Sequence, residues 1–142
     1  MSRCLVIGMG NRDRGDDAAG ILAAKLVSRV RAEEITDCSQ LVTTWGDEDD
    51  VIVIDAMRSG AEPGTVTRFD GLTESLPSRS FSSTHSFGLA EGIELSRALG
   101  RLPRSLTVFG IEAGGFDHGS ALTPEVERAV SQVAALVDEE VG

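Results

Sequence analysis

Apolar residues fall into short continuous runs and longer periodic stretches along this chain. Continuous runs rich in β-branched residues, typical of strands buried on both faces of a sheet, occupy residues 3–8, 51–54 and 106–111. A weaker strand is expected at 34–38. An edge-like strand is expected at 65–69, after the turn signal Pro63-Gly64. These runs predict a sheet of about five strands.

Apolar residues spaced three and four apart predict helices between these strands. The first helix opens at Asp16-Asp17 and runs to Val30, a short helical face spans 41–45, and a third helix spans 85–99. The last helix begins at Thr123-Pro124, an N-cap followed by proline. Alternating strands and helices predict one α/β domain over residues 1–142. We expect a three-layer α/β/α sandwich around a twisted, mostly parallel sheet.

Composition narrows the class of partner. The chain has 142 residues, with 13 Lys plus Arg against 23 Asp plus Glu, for a net charge of −10. Such a surface repels phosphate backbones and anionic lipids, so we expect no nucleic-acid partner and no membrane partner. No apolar run approaches the length of a membrane span, and the two cysteines show no metal-binding spacing. We therefore expect a soluble, cytoplasmic protein with reduced thiols, either monomeric or weakly oligomeric.

The glycine-rich loop after the first strand does not fit a nucleotide site. Four residues separate Gly10 from Gly15, whereas the dinucleotide fingerprint has two at that place, and no Gly-Lys-Ser/Thr follows. Asp16 and Asp17 would also oppose a pyrophosphate at the start of the helix. A loop of this charge favours a cation.

Three ionisable positions lie where parallel strands end or a helix begins. An acidic pair follows the first strand, Asp55 follows the most buried strand, and His85 precedes a helix. The carboxyl ends of parallel strands meet at one edge, so these side chains are expected to converge. Two carboxylates and an imidazole suit nickel, zinc, manganese or iron(II) and leave coordination positions open. Each residue also has an ordinary explanation, as a helix cap, a turn residue or a structural histidine.

Several motifs in order along the chain resemble one family. The stretch from Gly8-Met9-Gly10-Asn11 to Gly20 is similar to the GxGNxxxxD(D/E)xxG signature of the hydrogenase maturation endopeptidases. The likeness continues through the short motifs Val53-Ile54-Asp55-Ala56, Pro63-Gly64-Thr65, Ser83-Thr84-His85-Ser86 and Leu122-Thr123-Pro124-Glu125-Val126.

The resemblance implies an α/β/α fold and removal of a C-terminal extension from the nickel-loaded large-subunit precursor of a nickel–iron hydrogenase. It implies that Asp17, Asp55 and His85 contact nickel, which the substrate supplies, with no organic cofactor. Asp16 is then a neighbour or a cap. Residues expected to contact the substrate are Asn11, Asp16, Gln40, Leu41 and Arg58.

One motif departs from the common family pattern. Many members carry Asp-Gly-Gly-Thr after the second strand, where this chain reads Asp37-Cys38-Ser39-Gln40-Leu41. That reading is more similar to the Gln-Leu variant of proteases serving bidirectional, cofactor-linked hydrogenases. The segment 40–55 is also short for the family. Residues 58–62 and a long loop at 70–84 are expected to flank the site.

The sequence is compatible with several mechanisms of hydrolysis. The metal polarises the scissile carbonyl or activates a water, or else Asp17 or Asp55 acts as general base. A serine mechanism is weaker, because no nucleophile elbow surrounds the serines beside His85. Rival classes are a self-contained hydrolase with permanent zinc or manganese and a non-catalytic nickel or precursor chaperone.

Overall fold

A computed structural model of the chain describes residues 3–10, 15–74, 76, 88–114 and 122–141. Within these ranges the strands are β1 Arg3–Met9, β2 Arg31–Ile35, β3 Asp49–Met57, β4 Val66–Asp70 and β5 Ser105–Glu112. The helices are α1 Ala19–Leu26, α2 Leu41–Thr44, α3 Leu89–Ala98 and α4 Pro124–Val141, with 3-10 turns at Gly15–Ala18 and Cys38–Gln40.

The five strands form one sheet in the order β2-β1-β3-β5-β4. The four strands other than β4 are mutually parallel, and β4 pairs antiparallel with β5 at the edge. The predicted α/β class, the mostly parallel sheet and the edge character of the fourth strand are thereby confirmed.

Helices cover both faces of the sheet, as predicted. Alternate residues of β3 point to opposite sides, so Ile52 and Ile54 pack with α1 and α4 while Val51 and Val53 pack with α2 and α3. Full burial of each such side chain contributes about 1.5–3 kcal/mol. The two aliphatic cores therefore lie on opposite faces of the sheet.

The third strand is longer than its apolar run predicts. The sequence indicates a strand ending at Ile54, but β3 continues to Met57. Its pairing with β1 ends at Gly8 opposite Ile54, while its pairing with β5 continues to Met57 opposite Glu112. Asp55 therefore lies inside the strand, one residue beyond the last register pair with β1.

The first helix is shorter than the sequence predicts. It ends at Leu26, because Val27 is extended and the next two amides leave the helical path. The amides of Ser28 and Arg29 donate to the Asp138 carboxylate of α4, at 3.0 and 3.1 Å. After this contact between distant segments, β2 begins at Arg31, three residues before the predicted strand.

Other predicted boundaries agree with the structure where it describes them. Trp45 is buried beside the short helix α2, α4 begins at Pro124, and Gly100 adopts a left-handed φ of 67° after α3. Residues 85–87 of the predicted third helix, and most of the predicted loop 70–84, lie outside the described residues. In the described ranges, none of the helices combines the length and the apolar character needed to cross a membrane.

Candidate active site

Asp55 is a buried carboxyl group near the carboxyl end of β3. It shares a strand face with Val51 and Val53, and its side chain is 1% exposed. Its Oδ1 accepts the Ala56 amide at 2.9 Å, whereas its Oδ2 has no hydrogen-bond partner within the described ranges. Burial raises the pKa of Asp55 well above its usual range, and the Asp17 charge raises it further, against the opposing Ala56 hydrogen bond. A buried oxygen of this kind is costly until it meets a proton or a cation.

Asp17 follows β1, the strand that pairs with β3. It lies in the 3-10 turn after β1 and is 3% exposed. Gly10 makes the turn possible, because its φ is +138° and any Cβ there would overlap the Asp17 carbonyl oxygen. The charge of Asp17 acts on the Asp55 carboxyl. The structure therefore places these two predicted site residues in one neighbourhood.

Asp16 faces a different part of the molecule. It is fully buried, and its carboxylate accepts the Thr123 amide at 2.9 Å, the Thr123 hydroxyl at 3.0 Å and the Gly114 amide at 2.6 Å. The N-cap of α1 is Ala18, without a side-chain cap. Asp16 therefore anchors the start of α4 rather than capping its own helix. Its predicted contact with substrate stays a prediction beside these contacts inside the fold.

Glu112 is a buried carboxylate that the sequence reasoning missed. It ends β5, and its side chain accepts the Ser59 amide at 3.0 Å and the Ser59 hydroxyl at 2.6 Å. Its backbone pairs with Gly64 and Thr65, so one residue ties both ends of the β3–β4 connection. An acidic residue that ends a continuous apolar run is the signal that identified Asp55, and it applies equally to Glu112.

Cys38 lies beside the carboxyl groups. Burial raises the pKa of its thiol to about 12, and the charges of Asp55, Asp37 and Glu91 add to the effect. The thiol is therefore protonated near neutral pH, which makes it a poor nucleophile. Asp37 caps the 3-10 turn that carries Cys38 by accepting the Ser39 amide at 3.0 Å.

The other residues predicted for the site differ in their exposure. Gln40 and Arg58 are exposed, at the start of α2 and directly after β3. Leu41 is completely buried in the core with α3, and its predicted contact with substrate stays a prediction. His85 and Asn11 lie outside the described residues.

The described residues supply two of the three expected metal contacts. Among them, no group of three His, Cys, Asp or Glu side chains is arranged to hold a metal ion. Asp55 and Asp17 nevertheless fit a cation, because one oxygen of the buried carboxyl lacks a hydrogen-bond partner there and the neighbouring group is also acidic. Carboxylate oxygens of this kind suit a hard or borderline divalent ion.

Comparison with known proteins decides the family. The sequence profile described as "HycI: Hydrogenase maturation protease" matches residues 36–140, well over half of the chain. This chain belongs to the hydrogenase maturation protease family. The family assignment agrees with the resemblance seen in the sequence.

Relatives and solved structures agree with it. The chain is 28% identical over 138 residues to the hydrogenase expression/formation protein HupD of Thiocapsa roseopersicina, and 30% identical over 98 residues to the coenzyme F420 hydrogenase subunit delta of Methanothermobacter thermautotrophicus. The alignments cover 89% and 65% of this chain but 62% and 56% of those relatives. The NiFe hydrogenase maturation protease HybD of Thermococcus kodakarensis superposes with a TM-score of 0.79 at 26% identity, over 99% of each chain. Escherichia coli HybD has the same fold, with a TM-score of 0.77 at 24% identity, over 98% of this chain and 91% of its own.

Proposed function

We propose that this chain is an endopeptidase that removes the C-terminal extension from the large-subunit precursor of a nickel–iron hydrogenase. Family membership supports the reaction class. The observation that carries the proposal at the site is the buried Asp55 carboxyl, whose Oδ2 has no hydrogen-bond partner in the described part of the chain.

Asp17, Asp55 and His85 contact the nickel that the precursor brings with it. The pKa of Asp55 is raised in the free protein, mainly by burial, so this group holds a proton more readily than an exposed aspartate does. An arriving divalent cation favours the ionised form, and its contact with Asp55 therefore releases a proton. The two carboxyl groups thus distinguish a nickel-loaded precursor from an empty one by charge.

Hydrolysis then follows one of two routes. In one route, nickel polarises the scissile carbonyl or lowers the pKa of a water. In the other, a carboxylate of the pair accepts the proton of the attacking water. In both routes the buried site excludes bulk water from the acidic pair, which strengthens its interaction with the cation.

Exposed residues around the edge contact the precursor. Gln40 and Arg58 are exposed, at the start of α2 and directly after β3, and Asn11 follows Gly10 in sequence. The Gln40-Leu41 pair favours a bidirectional hydrogenase as the client, with Gln40 as the exposed member of the pair.

Substitution of the three nickel contacts tests the proposal. Asp17→Asn, Asp55→Asn and His85→Ala should each lower the rate of precursor shortening about 100-fold or more, because each removes a group that acts on the reacting centre. The rate is measured by mass spectrometry of the nickel-loaded precursor over time.

Asp49→Asn is the matched control. Asp49 is also a buried carboxylate of β3, but it lies at the amino end and accepts the Gly46 amide at 2.7 Å. Its substitution should leave shortening within a few-fold of the original rate. Full cleavage by all three site variants would refute the assignment.

Metal analysis separates this proposal from its rivals. A self-contained metallohydrolase would be purified with stoichiometric zinc or manganese, whereas a protease that uses the nickel of its substrate retains no stoichiometric metal. A nickel or precursor chaperone would bind the loaded precursor and leave its mass unchanged.

A further inference from the structure

Asp16 connects three separate segments at the candidate site. Its two carboxylate oxygens accept hydrogen bonds from Gly114, which follows β5, and from Thr123, which precedes α4. These partners are 98 and 107 residues away in sequence. Three donors on one fully buried carboxylate form an anchor with little freedom to move.

The anchor is adjacent in the chain to a proposed nickel contact. Asp16 and Asp17 occupy successive positions of the 3-10 turn Gly15–Ala18. Charge from Asp17 acts on Asp55, while the hydrogen bonds of Asp16 go to the α4 side. The turn is therefore fixed on one side by Asp16 and presents Asp17 to the site.

Space around the anchor is limited. A Cβ at Gly114 would lie 3.2 Å from Asp16 Oδ2 and 3.3 Å from the Thr123 side chain. On the other side, Gly10 leaves no room for a Cβ next to the Asp17 carbonyl. The turn is therefore closely packed between residues 10 and 114, and the described hydrogen bonds of Asp16 join it to Gly114 and Thr123.

We propose that Asp16 is a positioning residue, which fixes Asp17 against the reacting centre through its hydrogen bonds to Gly114 and Thr123. The proposal rests on the proposed function for its kinetic consequence, but its structural part is independent of that function. It gives the first acid of the signature a role separate from that of the second.

Asp16→Asn, Thr123→Val and Thr123→Ser test the proposal. An asparagine replaces one acceptor oxygen by an NH₂ donor that faces an N–H or O–H donor, and valine removes only the Thr123 hydroxyl. We expect Asp16→Asn to lower kcat for precursor shortening about 10-fold or more with KM within about twofold, because the precursor is also held by other residues while the reaction requires Asp17 in its place. Thr123→Val should lower kcat about threefold, and Thr123→Ser, which keeps the hydroxyl, should restore it.

Amide spectra of the same variants give a readout that needs no substrate. In Thr123→Val, the ¹H–¹⁵N signals of Asp17 and Gly10 should shift as well as those of Gly114 and α4. Unmoved Asp17 and Gly10 signals, or a folded Asp16→Asn variant with an unchanged kcat, would overturn the proposal. If the unsubstituted protein shortens no precursor while the Asp17 signals do shift, the proposed function fails and the positioning role stands.

Discussion

At the scale of single residues, the carboxyl groups of the edge have different environments and therefore different roles. Asp16 and Glu112 accept hydrogen bonds from neighbouring segments, while Asp55 Oδ2 accepts none from the described residues. Satisfied carboxylates stabilise a fold, and an unsatisfied buried one is a cost that a functional site retains.

The raised pKa of Asp55 predicts how stability depends on pH. Between about pH 3.9, the pKa of an aspartate in an unfolded chain, and the raised pKa of folded Asp55, the Asp55 carboxyl holds a proton that the unfolded chain releases. The free energy of unfolding should therefore fall as pH rises from about 3.9 to the folded pKa, by about 1.4 kcal/mol per pH unit from this group.

Asp55→Asn should remove that contribution and make the free protein more stable than the original at neutral pH. Urea unfolding at several pH values measures it, and Asp49→Asn is the control that should keep the slope. An Asp55→Asn variant that is less stable at neutral pH and retains the slope would show that Asp55 is not the destabilising group.

The sequence predicted some of these residues and not others. Asp17 follows β1 and Asp55 lies near the carboxyl end of the adjacent, parallel β3, so their proximity could be predicted from where two apolar runs end. The partners of Asp16 lie about 100 residues away, and nothing local distinguishes an anchor from a ligand in an acidic pair. The complete burial of Leu41 was not predicted, because a family motif does not tell which of its side chains point into the core.

At the scale of elements, the signature glycines explain how α1 approaches the sheet. A Cβ at Gly8 would lie 2.6 Å from the Gly20 carbonyl oxygen, and a Cβ at Gly20 would lie 2.6 Å from that of Met9 and overlap that of Ile54. The helix therefore packs directly on the ends of β1 and β3. The turn that carries Asp17 directly precedes this closely packed helix.

Gly20→Ala should destabilise the fold by about 3 kcal/mol, because backbone atoms on both sides leave no room for a methyl group. Gly46→Ala is the control, since its Cβ would meet only Asp49 Oδ2, at 3.6 Å, and should cost less than about 1 kcal/mol. Urea unfolding gives both values. Equal, small losses would mean that α1 can move away from the sheet.

Element boundaries were predicted well where local signals act and poorly where distant contacts decide. Pro124 and Gly100 mark helix ends through their own backbone preferences. The end of α1 depends on Asp138, more than 100 residues later, and the length of β3 depends on its pairing with β5. Periodicity of a single segment contains no information about such partners.

At the scale of the whole molecule, the alternation of apolar runs and periodic stretches was sufficient to predict the α/β class, the three layers and the mostly parallel sheet. The order β2-β1-β3-β5-β4 was not predicted, because strand adjacency depends on packing between segments that are distant in sequence. The order matters for function. It places β3 between β1 and β5, so that Asp17, Asp55 and Glu112 lie at the carboxyl ends of three adjacent strands.

The proposed function requires that the acidic edge recognise nickel in the substrate. Intact-mass spectrometry of a nickel–iron hydrogenase large-subunit precursor, incubated with this protein in nickel-loaded and nickel-free forms, tests the claim directly. We predict that only the loaded precursor loses its C-terminal extension, and that with Asp55→Asn it keeps its full mass. A loaded precursor left intact by the folded original protein, or an equal shortening of both forms, would contradict the account.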